Sequence, residues 1–139
     1  MTIGVATSAK KGRLEVVCGS MFSGKTEELM RKIKRSEYAR QRVLVLKPQM
    51  DNRKSVTCIV SHDGRSRTAH ALDSSDVAIQ SVLEFAQAFD VIGIDEVQFF
   101  PDEIVRVICK LIEMGKHVIA AGLDLDFRGE PFGIMPYLL

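Results

Sequence analysis

Residues 14–26 read Leu14-Glu15-Val16-Val17-Cys18-Gly19-Ser20-Met21-Phe22-Ser23-Gly24-Lys25-Thr26, a largely apolar run that ends in G-x-x-x-x-G-K-T. The run is too short for a helix and rich in valine and leucine, which predicts a buried strand. The glycines beyond it let the backbone turn so that successive N–H groups converge on an anion. Residues 26–40 then place Leu29, Met30 and Ile33 on one side, which predicts a helix whose N-terminus adds partial positive charge. Strand, glycine loop and helix in that order are the context that makes the pattern a phosphate-binding loop. In such a loop Gly19, Ser20, Met21, Phe22, Ser23 and Gly24 wrap the phosphate oxygens. Lys25 reaches the β- and γ-phosphates, and the Thr26 hydroxyl ligates magnesium.

Three further short apolar runs follow, Val43–Leu46, Val91–Ile94 and Val118–Ala121. Helical patterns separate them. One is Asp76–Phe89, with Ala78, Val82, Phe85 and Phe89 in step and Ser74 or Ser75 as cap. The other is Pro101–Met114, with Asp102 and Glu103 in its first turn and Gly115 as its stop. Strands alternating with helices predict an α/β P-loop NTPase fold, a mostly parallel sheet flanked by helices. The order of the strands is open at this stage. Residues 55–72 break the rhythm. Ser55–Ser61 and Arg67–Leu72 flank Asp63-Gly64, a strong turn dipeptide, and predict an inserted β-hairpin with a mobile, polar second half. Residues 1–13 read as a flexible leader, and 14–139 as one domain.

Composition narrows the classes. The 139 residues suit a single core, and 19 basic against 18 acidic residues leave a formal net charge of +1. That balance argues against a nucleic-acid binder, and no apolar run reaches membrane-spanning length. Cys18, Cys58 and Cys109 lie far apart, which fits a reducing cytoplasm and offers no zinc-ligand spacing. His62, His70 and His117 show no metal spacing either. Arg31, Lys32, Lys34, Arg35, Arg40 and Arg42 read as a solvated basic face, and Cys18 reads as core.

A second stretch, Gly93-Ile94-Asp95-Glu96-Val97-Gln98-Phe99-Phe100, ends an apolar run in two carboxylates and then two rings. Asp95, at a strand end, suits the second magnesium ligand of a phosphate-loop fold. Glu96 is then spare and suits a general base acting on whatever attacks the γ-phosphate. The acid pair alone does not choose between a kinase and a water-splitting ATPase. Phe99 and Phe100 follow the strand's C-terminal end, where open α/β sheets bind ligands and a planar base can stack, although rings in such a place also serve as core.

Taken together, "GSMFSGKTEELMR", "LKPQMDNR", "VSHDG", "DEVQFF" and "AAGLDLDFRGEPFG" occur in an order that resembles the type II (cytosolic, human-like) thymidine kinase family over residues 12–139. The resemblance implies a P-loop nucleoside kinase domain that transfers the γ-phosphoryl group of ATP to the 5′-hydroxyl of thymidine, in the cytoplasm, with Mg²⁺. Carried over by position, Glu96 is the base, with Lys25 and Arg53 steadying transferred charge. Gly19 to Thr26 and Asp95, Glu96, Val97 and Gln98 lie against the nucleotide. Thr26, Asp95 and Asp51 lie near the metal, and Met21, Phe99, Leu123, Phe127 and Phe132 match the thymidine pocket. The resemblance also implies a homotetramer, a structural zinc and a lasso loop over thymidine. The residues for the last two are expected beyond Leu139 and are absent from this chain. Two other classes remain open: a P-loop ATPase and a non-catalytic nucleotide-binding form.

Overall fold

The computed structural model describes residues 12–19, 24–49, 56–60 and 66–123. Its elements are β1 (Arg13–Gly19), α1 (Lys25–Tyr38), β2 (Val43–Pro48), β3 (Val56–Val60), β4 (Ser66–Leu72), α2 (Asp76–Phe85), β5 (Val91–Ile94), α3 (Glu103–Glu113) and β6 (His117–Leu123). Short 3₁₀ turns at Ala86–Ala88 and Val97–Phe99 flank β5.

The strands form one six-stranded sheet in the order β1-β6-β5-β2-β4-β3. Neighbours are parallel throughout, except that β3 runs antiparallel to β4. The α/β expectation therefore holds, and the hairpin exists. Its second strand is not a loose appendage: β4 is laddered on both sides, to β2 and β3, and buries Ala69 and Leu72.

Period-two alternation divides the core into two layers. Leu44, Leu46, Ile92, Ile94, Val118 and Ala120 point to the face covered by α2 and α3, where Ile79, Val82, Ile104, Ile108 and Leu111 meet them. Val45, Val91, Ile119 and Ala121 point to the other face and pack on Leu29 and Ile33 of α1. Central strands buried on both faces read as unbroken apolar runs for this reason. The edge strand β1 is only half-buried, and Cys18 near its end is exposed, against the core reading of that thiol. Its apolar run resembles those of β2 and β5, and only strand order reveals that it lies at an edge.

Helix ends follow local chemistry. Ser75 caps α2, its hydroxyl accepting from the Ala78 amide at 3.2 Å. Gly115 takes a φ of 86° just beyond α3, as a left-handed stop requires. Asp102 makes no side-chain cap at the start of α3. The helices are shorter than their patterns: α1 ends at Tyr38, and α2 tightens into 3₁₀ geometry at Ala86.

Candidate active site

The C-terminal ends of β1 and β5 and the N-terminus of α1 lie at one edge of the sheet. Parallel strands put them there, with β6 alone between β1 and β5. Gly19 closes β1. Gly24 precedes α1 with a φ of 83°, a conformation glycine adopts without strain. Lys25 and Thr26 open the helix, and the partial positive charge of its N-terminus favours an anion at that point.

Across the edge, Asp95 and Glu96 follow β5. The Asp95 amide donates to the Leu46 carbonyl at 2.9 Å, carrying the β5–β2 ladder one residue past the strand. The Asp95 side chain is buried, 6% exposed. Burial and then the neighbouring Glu96 charge push its carboxyl up to about 6, while the Glu96 amide, Lys47 and Lys25 pull the other way. Glu96 stands at φ 54°, ψ 42°, left-handed without being glycine. Its amide donates to Asp95 Oδ1 at 3.0 Å. That turn sends two successive carboxylates in different directions, one inward and one half-exposed.

The rings divide in the same way. Phe100 is 3% exposed and joins the α2–α3 core, whereas Phe99 is 39% exposed. Val97 and Gln98 are buried beneath them. The tandem rings are therefore placed differently, one in the core and one half-exposed at the surface.

Of the residues singled out above, Gly19, Gly24, Lys25, Thr26, Asp95, Glu96, Val97, Gln98 and Phe99 are brought to this one edge. Leu123 ends β6 there, as a backbone position. Ser20, Met21, Phe22, Ser23, Asp51, Arg53, Phe127 and Phe132 lie outside the described residues. Lys47 was missed. It sits one residue past Leu46, the partner of Ile94, and its charge acts on Asp95. Its signal was a lone lysine near the end of an otherwise apolar strand, Val43-Leu44-Val45-Leu46-Lys47-Pro48.

Mg²⁺ takes oxygen ligands and commonly uses one or two protein groups beside phosphates and water. The site fits that habit: Thr26 and Asp95 offer hard oxygens, and a buried carboxylate beside a half-exposed one leaves local negative charge for a cation to offset. No cluster of three or more His, Cys, Asp or Glu occurs among the described residues.

The basic face of α1 is partly satisfied. Arg31 forms a bidentate pair with Glu28, and Lys32 reaches Glu15 of β1 at 2.8 Å. Glu15 also lies 2.7 Å from His117 Nε2 on β6. This network ties helix to sheet towards the opposite end of the strands from Asp95. No helix among the described residues is long and apolar enough to cross a membrane.

Residues 12–139 match the family model for thymidine kinase. The chain is similar to a thymidine kinase of Bacteroides thetaiotaomicron, 51% identical over 134 residues, which is 96% of this chain and 65% of that protein. It is 50% identical to a thymidine kinase of Bacteroides fragilis over the same shares. It is also 50% identical to one from Coprothermobacter proteolyticus, covering 92% of this chain and 63% of that protein. The chain thus spans just under two thirds of the length of these relatives.

Proposed function

The chain belongs to the thymidine kinase family, and from that premise we propose that it is the nucleotide-binding and catalytic part of a thymidine kinase. The observation that carries this reading is the pairing of a phosphate loop at the end of β1 with the Asp95–Glu96 turn at the end of β5. One element binds phosphate, and the other supplies both a carboxylate for a metal and a second carboxylate for a proton.

In the proposed reaction Glu96 accepts the proton of the thymidine 5′-hydroxyl. That oxygen bonds to the γ-phosphorus of ATP, the bond from γ-phosphorus to the β–γ bridging oxygen breaks, and ADP leaves with dTMP as product. The glycine-loop backbone and Lys25 hold the phosphates, and Arg53 steadies the charge in transfer. Mg²⁺, when bound, would neutralise phosphate charge, and Thr26, Asp95 and Asp51 are the residues that would hold it. Phe99 offers the apolar surface against which the thymine ring packs, with Met21, Leu123, Phe127 and Phe132 as the rest of that pocket.

The motif set "DEVQFF", "LKPQMDNR" and "LDLDFRGEPFG" further supports placement in the type II branch. With it come a cytoplasmic location, a homotetramer, a structural zinc, and no role for nucleic acid or membrane. The test is transfer of label from γ-³²P-ATP with thymidine, deoxyuridine, deoxycytidine or water as acceptor, in the chain extended to the length of its relatives. Label in dTMP supports the reading. Label only in inorganic phosphate would make it an ATPase, and no turnover would make it a binding module.

A further inference from the structure

The penultimate residue of β2 is a lysine, Lys47, that no part of the proposed mechanism uses. Its position follows from three observations. β2 and β5 are parallel neighbours, with Val45 opposite Gly93 and Leu46 opposite Ile94. The hydrogen bond from the Asp95 amide to the Leu46 carbonyl carries that register one step further, so Lys47 comes beside Asp95. Both belong to the α1 face. Val45 packs there with Leu29 and Ile33, and a Cβ on Gly93 would meet Ile33 Cδ1 at 3.1 Å. Two residues further along each strand the side chain returns to the same face.

α1 covers that face and begins at Lys25. The edge therefore holds two lysines, one from β2 and one from the helix start, and the charges of both act on the buried carboxylate of Asp95. Lys47 is half-buried, and its ammonium makes no ion pair among the described residues. Its charge reaches Asp95 through space, in the same sense as that of Lys25. A partly desolvated ammonium is costly unless an anion meets it. The strand beneath is apolar, with Leu44, Val45 and Leu46 all buried, so packing alone does not call for a charge there.

We propose that Lys47 is a second phosphate-contacting residue, meeting the polyphosphate of the nucleotide from the β2 side of Asp95 while Lys25 meets it from the start of α1. The inference rests on the reading of this edge as the nucleotide site. It makes β2, a strand with no glycine motif, a contributor to phosphate recognition. An ammonium is suited to this because it acts as a point charge and donates in several directions.

The experiment is calorimetric ATP and thymidine binding by the chain extended to the length of its relatives, with Lys47→Met, Lys47→Arg and Lys25→Ala variants. ATP titrations are run both with Mg²⁺ and with EDTA, and the melting temperature of each variant is recorded. Lys47→Met is expected to weaken ATP about ten- to a hundredfold with and without metal, the range for losing a charge-assisted contact. Thymidine affinity should not move, and Lys47→Arg should stay within about threefold because the charge remains. Unchanged ATP affinity in Lys47→Met beside a large loss in Lys25→Ala would overturn the proposal and leave the site reading intact. A loss seen only with Mg²⁺ would overturn it too, since Lys47 would then act through Asp95 and the metal. Equal losses for ATP and thymidine with a lowered melting temperature would show a structural role instead. Unchanged ATP affinity in both Lys25→Ala and Lys47→Met would remove the site reading and the proposal together.

Discussion

The backbone amide of Glu96 donates to its own neighbour, Asp95 Oδ1, at 3.0 Å, and it does so from a left-handed residue with φ 54°. The turn keeps one carboxylate buried and leaves the next half-exposed. A non-glycine residue in that conformation stores about 1–3 kcal/mol, which the surrounding fold must offset. Glu96→Gly should therefore raise stability by about 1 kcal/mol relative to Glu96→Ala while both lose transfer activity. Chemical denaturation of the two variants measures it. Equal stabilities would show that the turn carries no strain.

Glu96→Gln keeps the size and hydrogen-bonding capacity of the side chain and removes its basicity. Phosphoryl transfer to thymidine should fall by about 10²–10⁴-fold. ATP affinity should change little, since the phosphate cradle lies on other elements. Single-turnover transfer and ATP calorimetry check the two parts, and near-normal turnover would remove Glu96 from the role of base.

Asp95 bears on stability in the opposite sense from most carboxylates. Its carboxyl is raised to about 6 in the fold from 3.8, with burial as the leading cause. The folded state thus binds the proton more tightly than the unfolded state, and stability falls as pH rises from about 4 through about 6. In metal-free protein, Asp95→Asn should be more stable than the parent at pH 7 by up to about 3 kcal/mol, and the gain should vanish near pH 4. Asparagine can still accept from the Glu96 amide. Urea melts at the two pH values decide it, and a gain of the same size at both would show that charge is not the cause.

The Glu15, Lys32 and His117 network predicts acid sensitivity at the other end of the sheet. The hydrogen bond from Lys32 is the main force holding the Glu15 carboxyl below its ordinary value. Burial, then Arg13, lowers His117, against the pull of Glu15. Both signs agree: stability is present above the unfolded pKa of each group and is lost as pH falls, first through the histidine range below about 6.5 and then through the lowered glutamate value. Glu15→Gln removes the one charge that favours protonated His117, so the histidine should titrate lower still. An NMR titration of His117 tests this, and an upward shift would contradict the network.

Gly93 is a packing position. A Cβ there would stand 3.1 Å from Ile33 Cδ1 and 3.7 Å from Leu29 Cδ1, both of them fully buried. Gly93→Ala should cost about 1–3 kcal/mol by overpacking. Adding Ile33→Val removes the methyl that clashes, so the double variant should recover part of the loss. Additive losses in denaturant melts would place the strain elsewhere.

Much of this protein was legible without coordinates because its signals are local. The strand-loop-helix order around Gly19–Thr26, the unbroken apolar runs of β2 and β5, the Ser75 cap and the Gly115 stop depend on a few neighbouring residues. The acid pair after β5 was legible too, because a charge abruptly ending a buried strand has few structural uses. Three things depended on distant chain. The exposure of Cys18 follows from β1 taking the sheet edge, and strand order is set by crossovers that leave no local mark. Phe99 and Phe100 are alike in sequence, and only the 3₁₀ turn after Glu96 sends one to the core and leaves the other half-exposed. Lys47 is 48 residues from Asp95 in the chain and becomes its neighbour only when β2 and β5 pair in register. Local propensity acts over one turn or one strand, whereas a site is assembled by hydrogen-bond ladders and packing between segments that propensity cannot align.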